Sequence, residues 1–193
     1  MILTGPNASG KTTLLKTTML NVLFSQQVGY AYCSSAAITP YTHLHSYLNI
    51  PDTSERDSLF QAEARRCRDI LETMEQSGTK ARHFCIFDEL YSGTNPVEAS
   101  KAAHAFMVYL SNHDNVDMML TTHYTNICKR IQRDSLKRKL RNMKMQVNTI
   151  EPHGLQYTYT MVPGISKVQG AIHVLQDLHY PKDILLTFTQ VKG

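Results

Sequence analysis

At 193 residues and 42% hydrophobic content the chain can bury the core of one ordinary domain, and a nominal charge of +4 with pI near 8.8 permits a nucleic-acid or acidic partner without demanding one. Four cysteines (Cys33, Cys67, Cys85, Cys128) form no CxxC pair, which points away from a zinc ribbon or a disulfide framework and towards a reducing, intracellular setting. No apolar run reaches the roughly 18 residues of a membrane span and no basic region precedes an apolar start, so a soluble protein without a membrane partner is expected.

Short apolar runs alternate with helical stretches, an α/β pattern with a mostly parallel sheet flanked by helices. Ile2 to Thr4 reads as a strand running straight into a glycine loop, a start so abrupt that a truncated beginning is expected. Lys11 to Phe24 reads as a helix and Val28 to Cys33 as a returning strand. Ala36 to Asp52, rich in Pro, Tyr, Thr and His and without period, reads as a long functional loop.

From Glu55 to Gln76 a helix is expected, because Phe60, Ala64, Cys67, Leu71 and Met74 recur at spacings of three and four and line one face, with Gly78 at its end. His83 to Phe87 is a short apolar strand ending on Asp88-Glu89; Pro96 opens a helix to about Leu110, and Val116 to Thr121 is the next strand. Asn126 to Met145 carries eight Lys or Arg against one acid, Asp134, and reads either as a solvated helix face or as a contact for phosphates or an acidic partner. Val147 to Ile150 and Leu155 to Met161 flank Pro152-His153-Gly154 as a hairpin, and short helices at Ile172 to Leu178 and Pro181 to Phe188 close the chain.

The chemistry concentrates in three places. Gly5-Pro6-Asn7-Ala8-Ser9-Gly10-Lys11-Thr12 satisfies GxxxxGK[ST], with a strand before it and a helix after it. Such a loop lets consecutive backbone N–H groups turn inward on phosphates while the helix N-terminus adds partial positive charge. Lys11 is expected on the β and γ phosphates of ATP, Thr12 on Mg²⁺, and Thr13 beside them. Two carboxylates at a strand tip need a cation opposite, so Asp88 is assigned to Mg²⁺ and Glu89 to the attacking water. His123, after Leu120-Thr121-Thr122, would reach the same sheet edge and sense the γ phosphate. His43 and His45 make an HxH pair with no third ligand in view, read as packing rather than metal binding.

In this order the residues resemble the ATPase domain of the MutS family of DNA mismatch repair proteins, itself similar to ABC-type ATPases, over nearly the whole chain. Thr4-Gly5-Pro6-Asn7 with Gly10-Lys11-Thr12 resembles that family's P-loop, Asp88-Glu89-Leu90 with Gly93-Thr94 its Walker B and D-loop, and Thr122-His123-Tyr124 its histidine switch. Ser58-Leu59-Phe60 with Glu63 is similar to the signature segment, and Asn142 to Met145 with Ser166 to Val174 to the closing region.

The resemblance implies a P-loop ATPase fold that works as a dimer with itself or a MutS-like paralogue, with Ser58 reaching the partner's γ phosphate and residues 165–193 as a helical dimerisation segment. DNA is then a partner through the longer protein. Departures are Ser9 for a glycine, Ser92 where the family has arginine, and Asn95-Pro96 in place of small hydroxyl residues; the divergence of the D-loop bears on communication between paired sites rather than on nucleotide binding. A rival reading is a module that pairs on ATP without turning it over; a small-molecule kinase shares the loop but needs an acceptor pocket and an arginine-bearing lid.

Overall fold

The computed structural model describes residues 1–48, 58–133, 140–150, 154–168 and 170–190. A six-stranded sheet runs β2 (His43–Tyr47), β3 (His83–Asp88), β4 (Val116–Thr121), β1 (Ile2–Thr4), β5 (Asn142–Ile150) and β6 (Gly154–Pro163). The first five are parallel and β6 returns antiparallel to β5. Three residues suffice for β1 because it is central: Ile2 pairs with Leu120 on one side and Asn142 on the other, and all three residues are buried.

Helices cover both faces, which is why β3 reads as an unbroken apolar run rather than an alternating one. Phe84 and Ile86 face α1 (Lys11–Val28), meeting Leu15 and Val22, with Leu44 and Tyr41 packed alongside. Cys85 and Phe87 face the opposite way, into a larger core built with α2 (Leu59–Ser77), α3 (Pro96–Ser111) and α4 (Thr125–Arg133). The face expected on α2 is the one that packs: Cys67 is buried, and Phe60, Ala64, Leu71 and Met74 lie against this core. Asn95 caps α3 by accepting from the Val97 N–H, with Pro96 in the first turn.

Several expectations about elements are corrected. Val28 to Cys33 is not a strand: α1 continues to Val28, and Gly29, at φ +72°, closes it by donating its N–H to Ser25 O. Tyr30 and Tyr32 beyond it are 79% and 83% exposed, and Tyr32 turns back on α1, its ring 5.9 Å from that of Phe24 and its N–H donating to Asn21 Oδ1. The strand lies instead at β2, inside the stretch read as loop, where His43 to Tyr47 pair residue for residue with His83 to Phe87.

The helix expected from Glu55 begins at Leu59, because the Ser58 side chain accepts from Gln61 N and the Gln61 side chain accepts from Ser58 N, a reciprocal cap; residues 55–57 lie outside the described ones. The basic stretch divides: α4 ends at Arg133, and β5 already starts at Asn142, so Lys144 belongs to a strand. The turn expected at 152–153 and residues 134–139 fall outside the described residues. Helices α5 (Gly170–Asp177) and α6 (Lys182–Gln190) close the chain and bury none of their side chains, leaving Val174, Ile184 and Leu186 exposed. Among the described residues no helix is long and apolar enough to cross a membrane.

Candidate functional site

Parallel strands deliver their carboxyl ends to one edge of the sheet, and β1, β3 and β4 bring Thr4, Asp88 and Thr121 there side by side. The loop from Gly5 to Gly10 then turns back over that edge. Two of its residues need positive φ, Ala8 at 60° and Gly10 at 92°, and Gly10 has no side chain to obstruct the first turn of α1. A Cβ on Gly5 would stand 2.7 Å from Ser9 Oγ. Ser9, which occupies a position expected to favour glycine, is accommodated because its hydroxyl turns inward and donates to Pro6 O at 2.8 Å.

Lys11 is buried, and its ammonium folds over the loop, donating to Gly5 O at 3.0 Å and Pro6 O at 3.1 Å. Burial lowers its pKa, while the charges of Glu89 and Asp88 act to raise it. Thr12 Oγ1 donates to Asp88 Oδ2 at 2.8 Å, and Thr121 Oγ1 donates to Asp88 Oδ1. These two hydroxyls fix the carboxylate of Asp88 at the foot of α1, with Thr12 on one of its oxygens and Thr121 on the other.

Glu89 takes positive φ, 54°, which swings its side chain across the strand tips to His123, where Oε1 is 2.8 Å from Nε2. The same nitrogen lies 3.4 Å from Lys11 Nζ. One Nε2 cannot donate to a carboxylate and accept from an ammonium at once, so the shorter contact assigns its proton to the Glu89 bond. The bond to His123 holds the Glu89 carboxyl below its usual range, against the opposing effect of burial, with the charges of His123 and Lys11 adding to the depression.

The loop separates two clefts. One, of about 570 Å³, runs over Ala8, Gly10, Lys11, Thr12 and Thr13 to Glu89, and is walled by Met145 of β5 and Tyr159 of β6. Tyr159 has φ 54° and is 68% exposed, and a Cβ on Gly10 would stand 3.2 Å from its ring. Nothing in the alternating Gln156 to Thr160 stretch singles out this tyrosine; only the return of β6 beside β5 brings it to the loop.

The second cleft, of about 480 Å³, lies on the other side of Asn7, between Pro6, His123, Val174 and Phe188. Ser166 N–H donates to Thr4 Oγ1 at 2.8 Å and Gly170 lies against Pro6, which seats α5 beside the loop. Gly5 to Thr13, Asp88, Glu89 and His123 are thus brought together. Ser58 is not: it lines neither cleft, and its hydrogen bonds are to Gln61 and Ala62 at the start of α2.

An oxygen pair of Thr12 hydroxyl and Asp88 carboxylate fits magnesium, which takes one or two protein oxygens and fills its remaining positions with water and phosphate. Among the described residues no group of three or more His, Cys, Asp or Glu could hold a metal by itself, and that includes His43 and His45. Those two belong instead to a stack with His83 on the neighbouring strand.

A sequence profile of MutS domain V matches residues 1–192. The DNA mismatch repair protein MutS of Cytophaga hutchinsonii is 27% identical over 198 residues, an alignment covering 100% of this chain and 22% of the relative. The endonuclease MutS2 of Thermus thermophilus is 29% identical over 189 residues, 96% of this chain and 23% of the relative. The DNA mismatch repair protein MSH6 of Saccharomyces cerevisiae is 25% identical over 186 residues, 95% of this chain and 14% of the relative. The chain therefore spans between about a seventh and a quarter of the length of these relatives.

Proposed function

Because the chain belongs to the MutS family, matching its domain V almost end to end, we propose that it binds ATP with Mg²⁺ and hydrolyses it. The observation that carries this reading is the convergence of Lys11, Thr12, Asp88, Glu89 and His123 on one sheet edge, around a loop with two positive-φ residues that leads into the N-terminus of α1.

In that reading the larger cleft receives the nucleotide, its phosphates against Gly5 to Thr13 and its remainder along Met145 and Tyr159. Lys11 releases the carbonyls of Gly5 and Pro6 to meet the β and γ phosphates, exchanging two neutral acceptors for charged ones. Thr12 and Asp88 would hold Mg²⁺, which supplies charge neutralisation on the phosphate oxygens. Glu89 orients the water that attacks the γ phosphorus in line; a carboxylate held low by His123 is a weak base, so positioning dominates over proton abstraction. The His123 imidazole, between Glu89 and Lys11, stands where a γ phosphate would be sensed.

A role in DNA mismatch repair, by likeness to relatives of that name, extends this proposal, and with it contact with DNA and pairing with itself or a MutS-like paralogue. Ser58 at the exposed start of α2 and the apolar residues of α5 and α6 are where pairing would occur. The test is phosphate release by Lys11→Ala and Glu89→Gln. Lys11→Ala should lose nucleotide binding or turnover, and Glu89→Gln should keep binding and lose turnover. Turnover at the parent rate in both removes the assignment, and ATP-dependent pairing without phosphate release favours a binding module.

A further inference from the structure

Resting on the hydrolytic reading above, we propose that Glu63 is a positioning residue for hydrolysis: its buried carboxylate pins the turn that aims Glu89. The turn after β3 is costly to hold, because Glu89 and Tyr91 both occupy the left-handed region, at φ 54° and 60°, without being glycine. Such a conformation persists only where its surroundings over-determine it.

What fastens it is visible amide by amide. Glu89 N–H donates to Thr121 O at 3.1 Å. Tyr91 N–H donates to Tyr47 Oη at 3.3 Å, a hydroxyl on which Glu63 also acts electrostatically. Ser92 N–H and Ser92 Oγ donate to Glu63 Oε1 at 3.0 and 2.8 Å, and Gly93 N–H donates to Glu63 Oε2 at 3.1 Å. Two consecutive residues of the turn, Ser92 and Gly93, therefore end on a single carboxylate that is only 2% exposed, and the residue before them is held by Tyr47.

Packing closes the same joint. A Cβ on Gly93 would stand 2.7 Å from Phe60 N, and the Phe60 and Tyr91 rings lie 5.7 Å apart. Glu63 sits little more than one helical turn after Ser58, so the start of α2 is joined to the turn bearing Glu89 by these bonds and contacts. A displacement at the exposed Ser58 end reaches Glu89 through this joint without any residue of α2 touching the nucleotide. Glu63 thus affects the rate through Glu89 and leaves phosphate binding at the loop to Lys11.

The experiment measures single-turnover ATP hydrolysis and equilibrium ATP affinity on the whole chain, with melting temperature as the fold control. Glu63→Ala should lower the hydrolysis rate constant about 30- to 100-fold, the scale of an ångström-sized misplacement, with affinity within about threefold. Glu63→Gln, which keeps one acceptor oxygen, should fall between it and the parent. Should Glu63→Ala not fold, Glu63→Gln and Ser92→Ala, each removing one of the bonds, carry the test, with a several-fold loss of rate expected in each. A parent rate in the folded variants, or a loss of rate matched by an equal loss of affinity, overturns the positioning role. Glu89→Gln run alongside separates the failures. If it keeps the parent rate, the hydrolytic reading falls; if it loses turnover while the Glu63 variants keep it, only the role of Glu63 falls.

Discussion

At the carboxyl ends of β1, β3 and β4 the protein gathers charged side chains, whereas at the amino ends of β2 and β3 it stacks three imidazoles against one another. In the first region Lys11, Asp88, Glu89 and His123 each have an opposite charge or a hydroxyl within reach. In the second, His45 Nε2 and His83 Nδ1 share one hydrogen bond at 3.0 Å, while His43 Nδ1 and His83 Nε2 find no partner among the described residues. Burial, then the neighbouring imidazoles, pushes His45 down to about 4, and burial foremost lowers His83. The difference teaches that burial alone does not make a reactive site. Burial beside opposite charge keeps a group ionised, and burial beside its own kind keeps it neutral.

The sharpest way to break this contrast is at the charged edge. Lys11→Ala and Glu89→Gln should each cut phosphate release by about 100-fold or more while leaving the melting temperature near the parent value. A variant that lost fold and activity together would place these residues with the structural groups instead. Next in size is Gly10→Ala. It forces a side chain into φ 92° and against Tyr159, which costs about 1–3 kcal/mol and should weaken ATP affinity about tenfold or more by equilibrium binding.

The histidine edge is tested by acid. His45 has a folded pKa of about 4 against 6.5 unfolded, so between those values the unfolded chain binds more protons. Stability should therefore be complete above pH 6.5 and fall as pH drops towards 4, by on the order of 2–3 kcal/mol. Denaturant melts across that window should show the loss, and His45→Phe, which keeps a ring in place, should flatten it without touching turnover. Parallel pH curves for parent and variant would mean that the stack titrates as if exposed. The smallest effect belongs to the exposed cap: Ser58→Ala should cost about 1 kcal/mol of stability through α2, leaving ATP affinity unchanged.

Much of the charged edge is legible from residue order, because the glycine loop is a local object. Its glycines, lysine and hydroxyl are adjacent in the chain, and their chemistry depends on that adjacency. Asp88-Glu89 and His123 are legible for a related reason, each closing an apolar run that a parallel sheet sends to one edge. The α2 face, repeating at helical spacing, is readable in the same way. Local reading stops where a pattern needs a distant neighbour. His43 to Tyr47 has too few apolar residues to announce a strand and becomes one only through its register with His83 to Phe87. Val28 to Cys33 reads like a strand, yet Gly29 ends a helix there and the segment joins no strand of the sheet among the described residues.

What the sequence by itself determined is the glycine loop with its lysine and hydroxyl, the α/β layering and the packing face of α2, since these follow from spacings of at most a few turns. Only the tertiary structure decided that Tyr159 and Met145 wall the larger cleft, that His83 completes the histidine stack, and that Glu63 is tied to the turn of Glu89. Each of those joins residues separated by tens of positions or more, and such pairings are set by sheet order and helix packing, which no local period encodes.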